Sequence, residues 1–237
     1  MKKSIAILSV LATSAAFAAT TVDSGNTFGF VPVTTASTGV KPVLTCVAVP
    51  VNGYTTGTSI KIAEVLQVTD LTVGDKLYTM EGGKYNEYTL TLKEDKKTWA
   101  ASRIVTVGAK GEFVEQGGTP PNEATIAPRG AFWLQTSATR VSLMGDATEQ
   151  ARAATISAGW QLIGNPSITD TYRISDIPGT IGDVLQTSST AYRYVKIDGD
   201  SVWATGSGKT WTPANNVFLK PGEGALLYSQ AGSTGSN

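Results

Sequence analysis

The sequence predicts an all-β protein made of two tandem, related antiparallel β-modules, of small barrel or sandwich type, with one or two short helices. Three observations predict it. The same landmarks recur in the same order in two stretches of chain, residues 46–134 and 162–230. Short apolar runs are broken by turn residues about every 8 to 12 positions, the spacing of short strands in all-β folds. Thr, Ser, Val, Gly and Tyr dominate, and strong helix formers are thinly spread.

The recurrence holds landmark by landmark. Val47-Ala48-Val49-Pro50 is answered by Ile163-Gly164-Asn165-Pro166, Gly74-Asp75-Lys76-Leu77 by Gly182-Asp183-Val184-Leu185, and Tyr85 to Tyr88 by Tyr192-Arg193-Tyr194. Trp99 is matched by Trp203 or Trp211, and the closure from Pro128 to Trp133 by Pro221 to Tyr228. The offset falls from 116 at Pro50 to 108 at Gly74 and 93 at Pro128, which places the extra residues in loops of the first copy. Matched glycines, prolines and aromatics with variable loops between them are what duplicated β-units retain.

Taken in order, the predicted strands are Phe28-Val33, Val43-Val49, Lys76-Met80, Glu87-Leu92, Ser102-Val107, Ala131-Thr136, Thr139-Met144, Gly159-Gly164, Val184-Thr187, Ala191-Ile197, Ser201-Ala204 and Gly224-Ser229. Tyr88, Leu90 and Leu92 alternate with polar residues, as in a half-buried antiparallel strand. Gly82-Gly83, Asp198-Gly199 and Gly206-Ser207-Gly208 supply the positive φ of tight hairpins. A helix is expected over Ile60-Leu66, capped by Thr58 or Ser59 with Ile62, Val65 and Leu66 inward, and a shorter one over Arg173-Ile177 before Pro178. Lys110-Glu123 reads as a long surface loop. The expected organisation is a signal peptide at 1–18, a first module with an N-terminal strand at 19–145, a linker at 146–158, a second module at 159–231 and a flexible tail at 232–237.

Lys2-Lys3, the apolar run from Ile5 to Ala12 and the small-x-small site Ala16-Phe17-Ala18 have the form of a secretory signal peptide cleaved after Ala18. Export to the periplasm, cell surface or medium of a bacterium is the expectation. No later apolar stretch reaches the length of about 18 to 20 residues that a membrane-spanning helix needs. Removal of residues 1–18 leaves 219 residues with 17 basic and 19 acidic side chains, a net charge of −2. A near-neutral chain with no basic block lacks the electrostatic footprint for nucleic acid. The single cysteine, Cys46, has no partner for an intramolecular disulfide and sits in a strand-like apolar run, where it reads as an inert core thiol.

The chain contains no histidine. That removes Ser-His-Asp and Cys-His hydrolases, histidine-ligated zinc and histidine acid/base catalysis. Gly206-Ser207-Gly208-Lys209-Thr210 ends like a phosphate-binding loop, but the glycine required six places before the lysine is Trp203, so it reads as a hairpin turn. Asp75 and Asp183 are an attractive pair of acids, yet their recurrence in both copies fits Asx-type turns better than catalysis. Asp23-Ser24-Gly25 matches a protease triplet without a second copy, and Asp198-Gly199-Asp200-Ser201 lacks the distal glutamate of a calcium loop. No catalytic residue, metal site or cofactor is expected. Trp133 and Trp160 sit in core-like strands, whereas Trp203, Trp211 and Tyr192 are the candidates for an exposed platform that stacks on sugar rings.

Thr27-Phe28-Gly29-Phe30-Val31-Pro32-Val33, then Gly159-Trp160-Gln161-Leu162-Ile163-Gly164-Asn165-Pro166 and the two Pro-x-Gly closures, resemble an uncharacterised family of secreted all-β bacterial proteins found in Verrucomicrobia and their relatives. Its pattern has a GF-V opening, a central GWNLIGNP and PG-GFW strand ends. This chain departs from it with Gln161 for Asn, Arg129 for Gly, and Ala225-Leu226-Leu227 for the aromatic pair. The resemblance implies architecture and export, and carries no catalytic residue. The expected role is that of an exported, non-enzymatic envelope or surface protein with a structural or interaction function, its partners envelope proteins or polysaccharide. The alternative is a carbohydrate-binding module.

Overall fold

The computed structural model describes residues 28–49, 59–107, 113–127, 130–146, 155–165, 167–207, 210–231 and 233–234. The signal peptide expected at 1–18, Asp23-Ser24-Gly25, and the landmarks Pro50, Pro128, Arg129, Pro166, Gly208 and Lys209 lie outside the described residues.

The described chain is nearly all β. In its first half ten strands follow one another: β1 (Phe28–Thr34), β2 (Val43–Ala48), β3 (Ile60–Lys61), β4 (Lys76–Glu81), β5 (Lys84–Lys93), β6 (Lys96–Val107), β7 (Phe113–Glu115), β8 (Thr125–Ile126), β9 (Ala131–Thr136) and β10 (Arg140–Asp146). Six of them make an antiparallel sheet in the order β2-β9-β4-β5-β6-β7, while β1 pairs with β10 and β3 with β8 as two-stranded ribbons. The second half repeats the count with β11 (Thr155–Ile156), β12 (Gly159–Gly164), β13 (Tyr172–Arg173), β14 (Val184–Gln186), β15 (Ala191–Ile197), β16 (Asp200–Ser207), β17 (Thr210–Pro213), β18 (Phe218–Leu219), β19 (Gly224–Ser229) and β20 (Ser233–Thr234). Its sheet runs β12-β19-β14-β15-β16-β17, with ribbons β11-β20 and β13-β18. The two modules therefore share one topology, strand for strand.

Each sheet curls over its own core and is closed by its ribbons. In the first module Val47, Leu77, Tyr88, Leu90, Phe132 and Leu134 face inward beneath Val31, Val33, Val141 and Leu143 of the β1-β10 ribbon. That ribbon shows the alternation of a half-buried pair: Val31 and Val33 are buried while Phe30 is exposed. The second core gathers Ile174, Leu185, Tyr192, Trp203, Leu219 and Leu227.

The tight hairpins follow from local backbone chemistry. Gly82 and Gly83 take φ of 55° and 77° between β4 and β5, and Asp198 and Gly199 take 51° and 102° between β15 and β16, the two consecutive positive values of a type I′ turn. The β5-β6 hairpin makes the same kind of turn without glycine, with Glu94 at 51° and Asp95 at 60°.

Four expectations are corrected. The first helix is one turn, α1 (Ile62–Val65), without a side-chain cap at its start, because Ile60–Lys61 pairs with Thr125–Ile126 instead. Ile62, Val65 and Leu66 are nevertheless buried as expected. Its counterpart is a single 3₁₀ turn, Ile174–Asp176. The loop expected over Lys110-Glu123 carries β7, which extends the first sheet. Ser233–Thr234, expected in a flexible tail, pairs with Thr155–Ile156, expected in a linker; backbone pairing needs no apolar side chain on the added strand.

Candidate functional site

The recurring aspartates have parallel structural tasks. Asp75 Oδ2 accepts hydrogen bonds from the Thr72 amide at 2.8 Å and the Thr136 hydroxyl at 2.7 Å. Asp183 Oδ2 accepts from the Thr180 amide at 2.9 Å and the Ser229 hydroxyl at 3.1 Å, and its Oδ1 accepts from the Gln230 amide at 2.9 Å. Each carboxylate thus ties the turn before the second sheet strand to the end of the strand beside it. Both are buried, and the glycine before each adopts the same left-handed φ, 100° at Gly74 and 99° at Gly182. Among the described residues the other buried carboxylate, Glu87, is held between Lys76 at 3.1 Å and Arg103 at 3.2 Å. Among the described residues no three acidic or cysteine side chains cluster as metal ligands.

The aromatic platform expected from Trp203, Trp211 and Tyr192 is not what these residues form. Trp203 is 2% exposed, donates its indole N–H to the Ile177 carbonyl at 2.8 Å and packs edge-on to Tyr194. Tyr192 is buried in the same core, and Trp211 is half-buried on the edge strand β17. The reason is periodicity: Tyr192 and Trp203 fall on the inward face of β15 and β16, where they fill the volume under the curled sheet. The strongly exposed indole is Trp160, at 45%, which the sequence places in a core.

Trp160 lies on the cleft beside the junction between the modules and is not part of its core. On β12 and β19, Ile163, Ala225 and Leu227 point into the second core, while Leu162 and Leu226 point outward onto Cys46, Ala48, Tyr78, Ala131 and Trp133 of the first sheet. The modules therefore share a third core between the outer faces of their sheets. It is arranged about a local two-fold axis. Val47 bridges to Glu223, and its counterpart Ile163 bridges to Gly130, the counterpart of Glu223. On the axis itself equivalent positions meet: a Cβ placed on Gly164 would fall 2.2 Å from the Cβ of Ala48, and one on Gly224 would fall 2.9 Å from that of Ala131. Each pair therefore has one alanine and one glycine, since two methyl groups cannot occupy one space.

Burial in this junction pushes the Cys46 thiol far above its ordinary value, which fits the inert thiol expected of it. Burial likewise raises Tyr78 and Tyr85.

Beside this core the two sheets leave a cleft of about 720 Å³ where the β4-β5 end of the first module faces the edge strand β12. Trp160, Asn86, Glu81, Thr79, Gln161 and Ser157 bring polar and aromatic groups to its walls. Trp160 extends its aromatic surface by packing against Tyr228 with ring centroids 5.0 Å apart. Gln161 donates to the Ser157 carbonyl at 2.7 Å, which steadies the strand entry. Asn86 is 7% exposed. No residue of the platform proposed from the sequence lines this cleft; Trp160 and Asn86 were hidden because their setting exists only once the modules dock.

No protein-family model matches the chain, and comparisons with curated proteins and with solved structures give no match. The fold defines the class: an all-β protein with two antiparallel sheets of the same strand order, packed through their outer faces.

Proposed function

We propose that the chain is an exported, non-enzymatic protein of the bacterial cell envelope or surface, with a structural or interaction role. The observation that carries this reading is the use made of its buried carboxylates. Asp75 and Asp183 bind their own turns, and Glu87 is neutralised by two cations, so the recurring pair of acids weighed for a hydrolase is engaged in holding the sheets. The shared strand order and the matched aspartate ties support an origin by internal duplication. The likeness to the secreted Verrucomicrobial family is part of the same proposal; its opening and central motifs fall on β1 and β12.

Cell fractionation with protease shaving of intact cells tests the reading. The expected result is a mature chain beginning at Ala19 outside the inner membrane. A cytoplasmic protein that retains residues 1–18 would refute it.

A second reading, carbohydrate binding, loses Trp203 and Tyr192 to the core but gains Trp160, whose exposed indole borders the cleft between the modules.

A further inference from the structure

We propose that the cleft between the modules is a binding site for a neutral, β-linked oligosaccharide, with one sugar ring stacked on Trp160 and a hydroxyl group bonded to the amide of Asn86. The inference rests on the reading of the protein as a non-enzymatic interaction protein and names the ligand class of its junction.

Three independent observations converge on this chemistry. Asn86 is a largely buried residue on β5 that lines the cleft; the sealed, unpartnered side-chain atoms among the described residues are Trp99 Nε1 and Arg103 Nε, and the Asn86 amide, which is not one of them, opens to the cleft. A carboxamide has two donors and an acceptor. A group of this kind, 7% exposed and facing a cleft, is satisfied by a ligand that brings both donor and acceptor. A sugar hydroxyl does both.

Trp160 supplies the complementary surface. It is 45% exposed and in tilted contact with Tyr228, with ring centroids 5.0 Å apart and the planes at 49°, so the indole is held by a neighbour while much of its surface stays open. The faces of β-linked pyranoses, with their hydroxyls equatorial, are flat and apolar at the C–H groups, and such faces pack on an aromatic ring.

Charge then narrows the class. Among the described residues lining the cleft, Glu81 carries the only formal charge and none is cationic. Along these described walls a phosphate, sulfate or uronate would meet a carboxylate and no counter-charge. The volume of about 720 Å³ lies within the range of small-molecule clefts.

The test is intrinsic tryptophan fluorescence of the mature chain titrated with cellohexaose, chitohexaose and, as the anionic comparison, hexagalacturonate. The expected result is a saturable blue shift with at least one of the two neutral oligosaccharides and none with the anionic one. Trp160→Ala abolishes the shift, and its exposed position leaves the fold intact. Asn86→Ala weakens binding about ten-fold, the loss of roughly one good hydrogen bond, while the melting midpoint of the ligand-free protein stays level because the amide faces the cleft. A merely structural Asn86 would instead lower that midpoint and leave affinity unchanged. The proposal is overturned if neither neutral oligosaccharide shifts the emission, if the shift survives Trp160→Ala, or if hexagalacturonate binds best. Shortening of a bound oligosaccharide during incubation would refute the non-enzymatic reading while leaving the site in place, so the two failures are distinguishable.

Discussion

At the scale of single residues, the alanine-glycine pairs on the local two-fold axis make the sharpest demand on sequence. Gly164 lies against Ala48 so closely that a methyl group at 164 would overlap the alanine Cβ at 2.2 Å. Overpacking of this kind costs about 1–3 kcal/mol. Gly164→Ala is expected to lower the urea midpoint accordingly, and Ala48→Gly added to it to recover most of the loss, because the exchange moves the methyl across the axis. If the double variant is no more stable than Gly164→Ala alone, the two positions do not share that space. Burial also gives the protein an alkaline limit. Cys46 is raised above its ordinary 9.0, and Tyr78, Tyr85, Tyr88 and Tyr172 above 10.0, in each case chiefly by desolvation. These groups keep their protons in the fold and lose them in the unfolded chain, so their contribution is whole below the unfolded values and declines above them. Urea midpoints are expected to hold steady up to about pH 9 and to fall beyond it, with Cys46→Ala removing the earliest part of the fall.

At the scale of elements, the aspartate ties explain why a Gly-Asp pair enters the second sheet strand of each module. Asp183 accepts three hydrogen bonds, from Thr180, Ser229 and Gln230. Asp183→Ala strands those donors in a buried place and is expected to cost about 2–4 kcal/mol, since bonds to a charged group are worth roughly 1.5–3 kcal/mol each and do not add in full; thermal unfolding of the variant measures it. A cost near zero would remove Asp183 from the framework. These ties, like the longer strands, are legible in the sequence because they depend on local chemistry: a left-handed glycine, a short acceptor and an alternating run. The short ribbons are not. Ile60–Lys61 and Thr125–Ile126 are two-residue strands defined only by each other, and Ser233–Thr234 carries no apolar signal at all. The Glu94-Asp95 turn hides for the opposite reason, since non-glycine residues adopt the positive φ that glycine announces elsewhere. The same limit separates Trp203 from Trp160. Both stand in strand-like runs, and which indole reaches solvent is decided by sheet curl and module docking, neither of which is written in local spacing.

At the scale of the whole molecule, two modules of equal topology press the outer faces of their sheets together, and the candidate site exists only at that junction. Leu162 and Leu226 of the second sheet cover Cys46 and Ala131 of the first, while Gly222 of the second module packs on Val31 and Val33 of β1. A junction this closely fitted behaves as interior, which predicts a single cooperative unfolding transition for both modules. The Ala48 amide reports on it directly, because its hydrogen bond crosses the junction to the Gly222 carbonyl at 2.8 Å. The decisive measurement is native-state hydrogen exchange of that amide beside those of Leu134 in β9 and Leu227 in β19. All three are expected to exchange only through global unfolding, with the same opening free energy. Rapid exchange at Ala48 while Leu134 and Leu227 remain protected would show modules that part from one another, and would contradict a binding cleft built between them.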